Sequence, residues 1–351
     1  MKKLFLLFLF LPLAAFSGGT VIGKYAGEFM SIGIGGRALG LGSAYAALAN
    51  DVTAGYWNPA GLARITYPEF SLMHDERFGN LVNYDYAGFA VPYGSNILNS
   101  ETGEKEYRAS SFGFSVIRLG VDGIPDTRKA LADSNGNGIM DGDERLDYNA
   151  ITYFNASDYA IYFSYAKQHS ENFFYGVNVK LIRRNLGDIH GNGIGFDLGA
   201  LFLPAENISL AANLQDAATT LVAWSTGTNE LISPTLKLGA AYFLELFGGR
   251  LTPALGADVR FENRKFSSVA HLGPISVDPQ AGIEFDYKNL VAVRAGYNDI
   301  GNLTLGAGIH LRKLDIDYSF AKFNAADQLG NTHRISLRLR LEEEKYRRGS
   351  E

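Results

Sequence analysis

One stretch of the chain has the residue types and spacing of a metal site. From Asp133 to Glu144 the sequence follows the twelve-residue EF-hand loop, with Gly138 at the position of the sharp turn. The ligand positions are occupied by Asp133, Asn135, Asn137, Ile139 (through its carbonyl), Asp141 and Glu144. A hard cation needs many oxygen ligands on a tightly wound backbone, so we predict an isolated structural calcium loop. The alternative is a glycine-rich surface loop whose acidic side chains are simply solvated.

The other residue types that could do chemistry are scattered. The six histidines have no metal-ligand spacing, and the chain has no cysteine, which excludes disulfides, thiol nucleophiles and thiolate metal sites. No Ser/His/Asp set can be assembled from local motifs. The formal net charge of -5 shows no basic excess, which argues against nucleic acid as the main partner. We therefore predict a protein that is not an enzyme and has no organic cofactor.

Most of the chain, residues 66–341, alternates between apolar and polar residues. In residues 302–312, for example, Leu303, Leu305 and Ile309 point one way, and polar or small residues point the other way. We count about fourteen strands, joined alternately by short turns and by longer loops such as residues 120–155. Tight turns at one rim and longer loops at the other are typical of outer-membrane barrels. The predicted fold is all-β, an antiparallel transmembrane β-barrel whose apolar face, including Leu337 and Leu339, meets lipid.

The polar faces of these strands carry charges whose sign changes from strand to strand. The predicted inward charges are Glu284, Asp286, Arg294, Arg312, Asp315, Asp317, Arg334, Arg338 and Arg340. Neighbouring strands can pair opposite charges across the wall. Interleaved signs favour a structural network over an ion-selective pore, and a charged ligand-binding surface is the alternative.

The residues before the strands, 18–65, have a different composition. Residues 33–63 are rich in glycine and alanine and carry few charges, so we predict a partly helical plug inside the lumen. Helical character is expected over residues 43–50, and Asn58-Pro59 should break any helix. Arg37 and Asp51 should pair with the charged wall, because a buried charge needs a partner.

The two ends of the chain are predicted to lie outside the barrel. Residues 1–17 have a Lys pair, an apolar core and a cleavage site with small residues. This pattern is typical of a signal peptide and predicts export to the cell outer membrane. Residues 342–351 form a charged tail, which we expect in the periplasm.

Two motifs stand near the start of the chain, Gly36-Arg37-Ala38-Leu39-Gly40 and the later Trp57-Asn58-Pro59-Ala60. Together they resemble the PorV/PorQ family of outer-membrane proteins, which are relatives of the FadL-type hydrophobic-compound transporters, and the second motif is shared with the wider transporter superfamily. Further likenesses are Asn213-Leu214-Gln215-Asp216-Ala217 and the run from Gly330 to Leu337. The residues assigned to the plug motif are Gly36, Arg37, Gly40, Asp51, Trp57, Asn58, Pro59 and Ala60.

The resemblance implies a fourteen-stranded outer-membrane barrel with an N-terminal segment in its lumen. It also implies a binding partner or shuttle for secreted or surface-attached proteins with C-terminal sorting domains, as in type IX secretion. The alternative is a FadL-type uptake channel for hydrophobic small molecules. For the first role, Trp224 in the long loop 215–233 is a candidate surface contact, although it can also pack against its own loop or join an aromatic girdle. We expect a monomeric barrel in contact with outer-membrane lipid.

Overall fold

The structure is a computed structural model that describes residues 27–79, 81–98, 105–134, 136–142, 144–261, 268–298, 301–322 and 332–348, together with the backbone of residues 20–21. The predicted signal peptide (residues 1–17), Asn135 of the predicted metal loop, and Gly330 at the start of the last family-like motif lie outside the described residues.

Fourteen antiparallel strands in the described ranges form a closed barrel, which confirms the predicted fold class and strand count. The strands are β1 (Glu69–Arg77), β2 (Val82–Tyr93), β3 (Ser110–Asp126), β4 (Thr152–Gln168), β5 (Phe173–Leu186), β6 (Ile189–Ala205), β7 (Ile208–Gln215), β8 (Thr235–Tyr242), β9 (Gly249–Arg260), β10 (Ile275–Tyr287), β11 (Val291–Tyr297), β12 (Leu303–His310), β13 (Leu314–Lys322) and β14 (Thr332–Arg340). Each strand pairs with the next one in the chain, and β14 pairs with β1, where Leu337 lies opposite Leu72. The barrel therefore leaves no open edge in the described sheet.

The two rims of the barrel differ. At the rim where β1 begins and β14 ends, named here the turn rim, most connections are short, and the longest contains the hairpin Ile97–Leu98 with Lys105–Glu106. The opposite loop rim carries the longer connections, although the links after β1 and β5 are tight turns there. Short additional elements decorate the barrel: Thr20–Val21, Thr220–Trp224, Asn229–Ile232, Leu244–Leu246, Ala270–Leu272 and the 3-10 helices Tyr148–Ala150 and Glu344–Tyr346.

Side chains alternate along each strand between the outer surface and the lumen, as a period-two backbone requires. On β12, Leu303, Leu305 and Ile309 are exposed on the outside, whereas Thr304 and His310 are buried inside. On β14, Leu337 and Leu339 are exposed in the same way. A continuous apolar outer surface of this kind matches a barrel that is surrounded by lipid.

Residues 27–65 lie inside the barrel and provide much of its buried apolar core. This lumenal segment contains α1 (Glu28–Ser31), α2 (Gly36–Gly40), α3 (Ala54–Trp57) and a 3-10 helix (Pro59–Arg64). The expected helix over residues 43–50 is wrong, because residues 41–48 form successive turns. Gly42 and Ser43 both have positive φ, which interrupts a right-handed helix. Among the described residues, no helix is long and apolar enough to cross a membrane.

Candidate functional site

The lumenal segment contains a helix break that is built by Asn58 and Pro59. α3 ends at Trp57, Asn58 is extended (φ −165°), and the 3-10 helix starts at Pro59, which has no backbone N–H to donate. Oδ1 of Asn58 accepts a hydrogen bond from the backbone N–H of Ala60 at 3.2 Å and caps the 3-10 helix. Its Nδ2 donates to the carbonyl of Ala200 in β6 at 3.0 Å. The Asn58 side chain therefore both caps the 3-10 helix after the break and attaches this part of the lumenal segment to the barrel wall.

Amide side chains of the barrel wall complete the end of α3. Asn178 in β5 donates from Nδ2 to the carbonyl of Gly55 at 2.7 Å. Asn213 in β7 donates in the same way to the carbonyl of Trp57 at 3.0 Å. The last carbonyls of a helix have no partner within the helix, so the wall supplies an external cap. These bonds join neutral groups, and each contributes a net stabilisation of about 1 kcal/mol.

Glycines on the inner face of the wall let the lumenal segment approach the strands closely. A Cβ atom at Gly296 would lie 2.3 Å from the backbone nitrogen of Gly42, and one at Gly282 would lie 2.4 Å from the carbonyl oxygen of Leu41. The same close approach recurs at Gly176, Gly199 and Gly239. Glycine inside a strand marks a place where another backbone comes near. The wall is therefore shaped to receive this segment.

The glycines of the predicted plug motif lie at the same interface. A Cβ at Gly36 would be 2.8 Å from the carbonyl oxygen of Asp317, and the N–H of Gly36 donates to Oγ of Ser336 at 2.9 Å. A Cβ at Gly40 would be 3.1 Å from Cα of Gly306. Only small residues fit α2 against this part of the wall.

A first charge network joins Arg37 of the lumenal segment to the wall. Glu284 accepts from Nη2 and Nε of Arg37 at 2.7 and 2.9 Å, and from Nε of Arg294 at 2.6 Å. Arg294 also donates from Nη1 to Asp317 at 2.5 Å. The Arg294 side chain is wholly buried, so its charge depends on these two carboxylates. Acidic and basic residues of β10, β11 and β13 meet here, and Arg294 reaches Asp317 across β12.

A second network joins Asp51 to the wall. Oδ2 of Asp51 accepts from Nη1 of Arg338 at 2.9 Å, and Arg338 also binds Asp315 through Nη2. Asp315 in turn accepts from Nη2 of Arg340 at 3.2 Å. Arg37 and Asp51, the two charges of the segment that we expected to meet the wall, are thus each in contact with a wall residue of opposite charge.

Three further predicted wall charges have other surroundings. Arg334 donates from Nε to Asp75 of β1 at 3.0 Å, across the seam that closes the barrel. Asp286 lies 3.3 Å from Nδ1 of His310, measured to Oδ2. Arg312 is exposed in the turn between β12 and β13, so it does not face the lumen. The alternation that assigned it to a strand extends past the end of β12.

Cavities lie on both sides of the lumenal segment. A cavity of about 910 Å³ is found at the turn rim, and its lining is largely charged and includes Arg37, Arg64 and Glu284. A cavity of about 50 Å³ lies on the loop-rim side, between Tyr56 of the segment and Lys180 of the wall. Residues of the lumenal segment thus line both cavities.

The predicted metal loop lies at the loop rim, between β3 and β4. Asp133 accepts from the backbone N–H groups of Gly136 and Gly138 at 2.6 and 2.7 Å, and both glycines have positive φ. Glu144 accepts from the N–H of Asp141 at 3.1 Å, and this hydrogen bond is the main cause of its lowered pKa. The backbone thus winds tightly around the first acidic side chain, as a calcium loop requires.

The remaining ligand positions of this loop include neutral groups. Oδ1 of Asn137 accepts from the N–H of Ile139 at 2.7 Å, and Nδ2 of Asn137 donates to Asp141 at 2.6 Å. In the part of the chain that the structure describes, no three His, Asp or Glu side chains are grouped in a way that could hold a metal ion. An ion in this loop would need the amide and carbonyl oxygens as well as the carboxylates.

Trp224 lies in a hairpin of the loop rim, where Thr220–Trp224 pairs with β6 and with Asn229–Ile232. Its ring packs over Gly191, and the guanidinium of Arg184 lies 5.3 Å from the ring centroid. The ring is half-buried, so one part of it remains open at the surface.

The chain is similar to a known family in its N-terminal part and to solved channel structures in its fold. Residues 15–91, which include the lumenal segment and the first hairpin, match the model of an uncharacterised protein family, UPF0164. No curated protein matches the chain. Among solved structures, the toluene transporter TbuX of Ralstonia pickettii is 13% identical with a TM-score of 0.52 and covers 88% of this chain and 98% of its own. The chain shares the fold of such channels.

Two further channels give the same result. CymD, a monoaromatic hydrocarbon channel, is 12% identical with a TM-score of 0.53, over 92% of this chain and 100% of its own. The P. putida toluene transporter TodX is 13% identical with a TM-score of 0.51, over 89% of this chain and 99% of its own.

Several residues of the site were not singled out from the sequence. They are the wall amide Asn178, the inward glycines, and Lys180, which is buried between Asp197 and Asp216 at 2.9 and 2.7 Å. The inward glycines do leave a signal, because they occupy lumen-facing positions where most strands carry polar or charged residues. Asn178 leaves none, because an inward asparagine is ordinary in a barrel lumen. Asn213 was named only as part of a family-like motif, without its contact to α3.

Proposed function

We propose that this protein is an outer-membrane channel of the FadL type in which the lumenal segment is the gate. One observation carries the proposal: residues 27–65 fill a closed barrel and are attached to it by hydrogen bonds between neutral groups and by the ion pairs of Arg37 and Asp51. The hydrogen bonds between neutral groups contribute about 1 kcal/mol each and can be exchanged for bonds to water. The segment can therefore move while the hydrogen-bonded wall stays intact.

For the transported molecule we propose a small hydrophobic compound. The support is the fold shared with TbuX, CymD and TodX, whose names give toluene or monoaromatic hydrocarbons as their cargo. The absence of any predicted catalytic set agrees with transport rather than chemistry.

We further propose that the turn rim faces the periplasm and the loop rim faces the outside. Barrels of the bacterial outer membrane have short periplasmic turns and longer external loops. The predicted signal peptide agrees with export, and the exposed apolar residues of β12 and β14 agree with contact to lipid.

A reversible cross-link tests the gate. The chain has no cysteine, so Gly55→Cys with Ser164→Cys gives one possible disulfide, between α3 of the lumenal segment and β4. A Cβ at Gly55 would lie 3.9 Å from Cβ of Ser164, within the separation found in disulfides. In vesicles containing the purified protein, we expect toluene uptake when the pair is reduced and a loss of uptake when it is oxidised.

The reduced form of the same protein is the control for the substitutions themselves, and Ser164→Cys alone controls for oxidant. Equal uptake in the oxidised and reduced forms would show that the lumenal segment is not the gate. No uptake in either form, with normal folding, would count against hydrophobic transport.

A second candidate function is the binding of secreted proteins, as the resemblance to PorV/PorQ proteins implies. The observation that favours it is the charged lining of the cavity at the turn rim, which is poorly suited to an apolar molecule. Recovery of secreted proteins that share a C-terminal domain by the wild-type barrel, and reduced recovery by Trp224→Ala, would favour this role over transport.

We also propose that the loop around Asp133 binds calcium and orders the connection between β3 and β4. The support is the winding of the backbone around Asp133 through Gly136 and Gly138. Millimolar calcium suits a weak extracellular site of this kind. Calcium should protect the loop from protease, chelator should remove the protection, and Asp133→Ala should abolish it. Cleavage that is indifferent to calcium would rule the site out.

A further inference from the structure

The chain after β14 folds back across the turn rim and runs beside the link that joins the lumenal segment to β1. The N–H of Leu341 donates to the carbonyl of Pro68 at 2.9 Å, and the N–H of Arg348 donates to the carbonyl of Thr66 at 2.9 Å. The 3-10 helix Glu344–Tyr346 lies between these two attachments. Residues 341–348 are thus fixed at both ends to the exit of the lumenal segment.

The side chain of Arg348 makes the contacts that matter most. Nη1 donates to the carbonyl of Ala63 in the lumenal segment at 2.5 Å. Nη2 donates to the carbonyl of Ser110 at 3.0 Å and to Oγ of Ser111 at 2.6 Å, both at the start of β3. Burial lowers the pKa of Arg348 to about 10, so the side chain is still charged at neutral pH.

All three acceptors of this guanidinium are neutral oxygens, and Ser111 is itself fully buried. A charge in such a place is stable only while its hydrogen bonds are made, because among the described residues no carboxylate pairs with Arg348 to compensate for the lost water. Hydrogen bonds to a charged donor are also stronger than those between neutral groups. The contact therefore holds while residues 341–348, the end of the lumenal segment and the start of β3 are all in place. It weakens when one of these three moves.

The same residues also border the cavity at the turn rim, since Glu342 and Arg347 belong to its lining. Residues 341–348 thus form one side of that cavity and also bind the end of the lumenal segment.

We propose that residues 341–348 form a strap that locks the lumenal segment from the periplasmic side, with Arg348 as the lock. Release of Arg348 frees the carbonyl of Ala63 and the link at Thr66 together, so the 3-10 helix Pro59–Arg64 can leave the wall. The proposal deepens the gating function and rests on it for its role in transport. The lock itself is measurable without any transported molecule.

The experiment measures access to the locked end of the lumenal segment. Ala63 is buried, and Ala63→Cys provides a single thiol in a chain that otherwise has none. The rate of labelling by a maleimide is compared between this parent protein and the same protein with Arg348→Gln. We expect labelling to become about ten-fold faster, because the charged hydrogen bonds that hold this end closed are lost.

Arg347→Gln is the matched control. Arg347 is the neighbouring residue and has the same charge, but its side chain is exposed and pairs with Glu344 at 3.5 Å. We expect its labelling rate to equal that of the parent. Ser111→Ala, which removes one acceptor on β3, should give an intermediate rate and serves in place of Arg348→Gln if that variant does not assemble.

Heat-dependent migration in gels verifies that each variant is a folded barrel. The proposal of a strap would be overturned if folded Arg348→Gln were labelled at the same rate as the parent. If Ser111→Ala is used in place of Arg348→Gln, the same result for Ser111→Ala would overturn it. Equal acceleration by Arg347→Gln would also overturn it, because that result would indicate general loosening of the tail. Loss of toluene uptake has no bearing on these rates, so failure of the transport proposal and failure of the strap remain distinguishable.

Discussion

The close approach between the wall and the lumenal segment at Gly296 gives the sharpest test of the packing. In Gly296→Ala, the new Cβ would lie 2.3 Å from the nitrogen of Gly42 and 2.3 Å from the carbonyl carbon of Leu41. Both are backbone atoms, so no side-chain rotation can relieve the overlap. Either the strand or the lumenal segment has to shift.

The expected cost follows from overpacking of a well-filled interior, which is typically about 1–3 kcal/mol. We expect the upper part of this range, about 3 kcal/mol, because the clash is between two backbones. Gly296 itself is an ordinary strand residue without positive φ, so the substitution adds no conformational strain of its own.

Gly120→Ala is the matched control for this experiment. Gly120 also lies in the wall, but a Cβ there would meet only the flexible end of the Arg118 side chain, at 2.6 Å. We expect its stability to stay within about 0.5 kcal/mol of the wild type. Urea unfolding of the refolded barrels in lipid vesicles measures both variants. Equal stability of the two would refute the claim that inward glycines are required by the lumenal segment.

Three further variants test the wall. Arg294→Met should cost about 3–5 kcal/mol in the same unfolding experiment, because it leaves Glu284 and a second buried carboxylate without this partner. Leu305→Arg should cost about 2–4 kcal/mol, whereas Leu311→Arg, at the turn rim, should cost about 0–1 kcal/mol, and equal values would contradict the assigned membrane position. Asn178→Ala should cost about 1–3 kcal/mol by leaving a buried carbonyl of α3 unpaired, and an unchanged midpoint would show that the cap is dispensable.

The barrel could be predicted from the sequence because alternation is a local property. Whether Leu303 and Leu305 face outward depends only on their spacing within one strand, and the strand count follows from repeating that reasoning along the chain. The same reasoning fails at strand ends. Arg312 continues the alternation of β12, yet the chain has already turned there.

Most of the contacts at the site could not be predicted, because they join distant parts of the chain. Arg37 and Glu284 are separated by 247 positions, and nothing local to either residue selects the other. The sequence indicated only that a buried charge on the lumenal segment needs a partner on the wall. Register around the whole barrel decides which one it meets.

The lumenal segment shows a third case. Asn58-Pro59 was expected to break a helix, and the break lies there because proline acts on its own backbone. The turns over residues 41–48 were not expected, because the alanines of this stretch favour a helix. The backbone of Gly42 packs closely against Tyr297, and this packing imposes turns in place of the helix. In these turns Gly42 and Ser43 have positive φ.

The strap also has a consequence for the order in which the protein is built. Arg348 follows β14 and binds Ala63 and Ser110, which precede most of the barrel in the chain. These contacts can form only after β14 has paired with β1, because that pairing brings the two ends of the strand sequence together. A chain that stalls before the seam closes therefore has an unlocked lumenal segment that proteases on the side of the turn rim can reach. Resistance to cleavage at this point would report that assembly is finished.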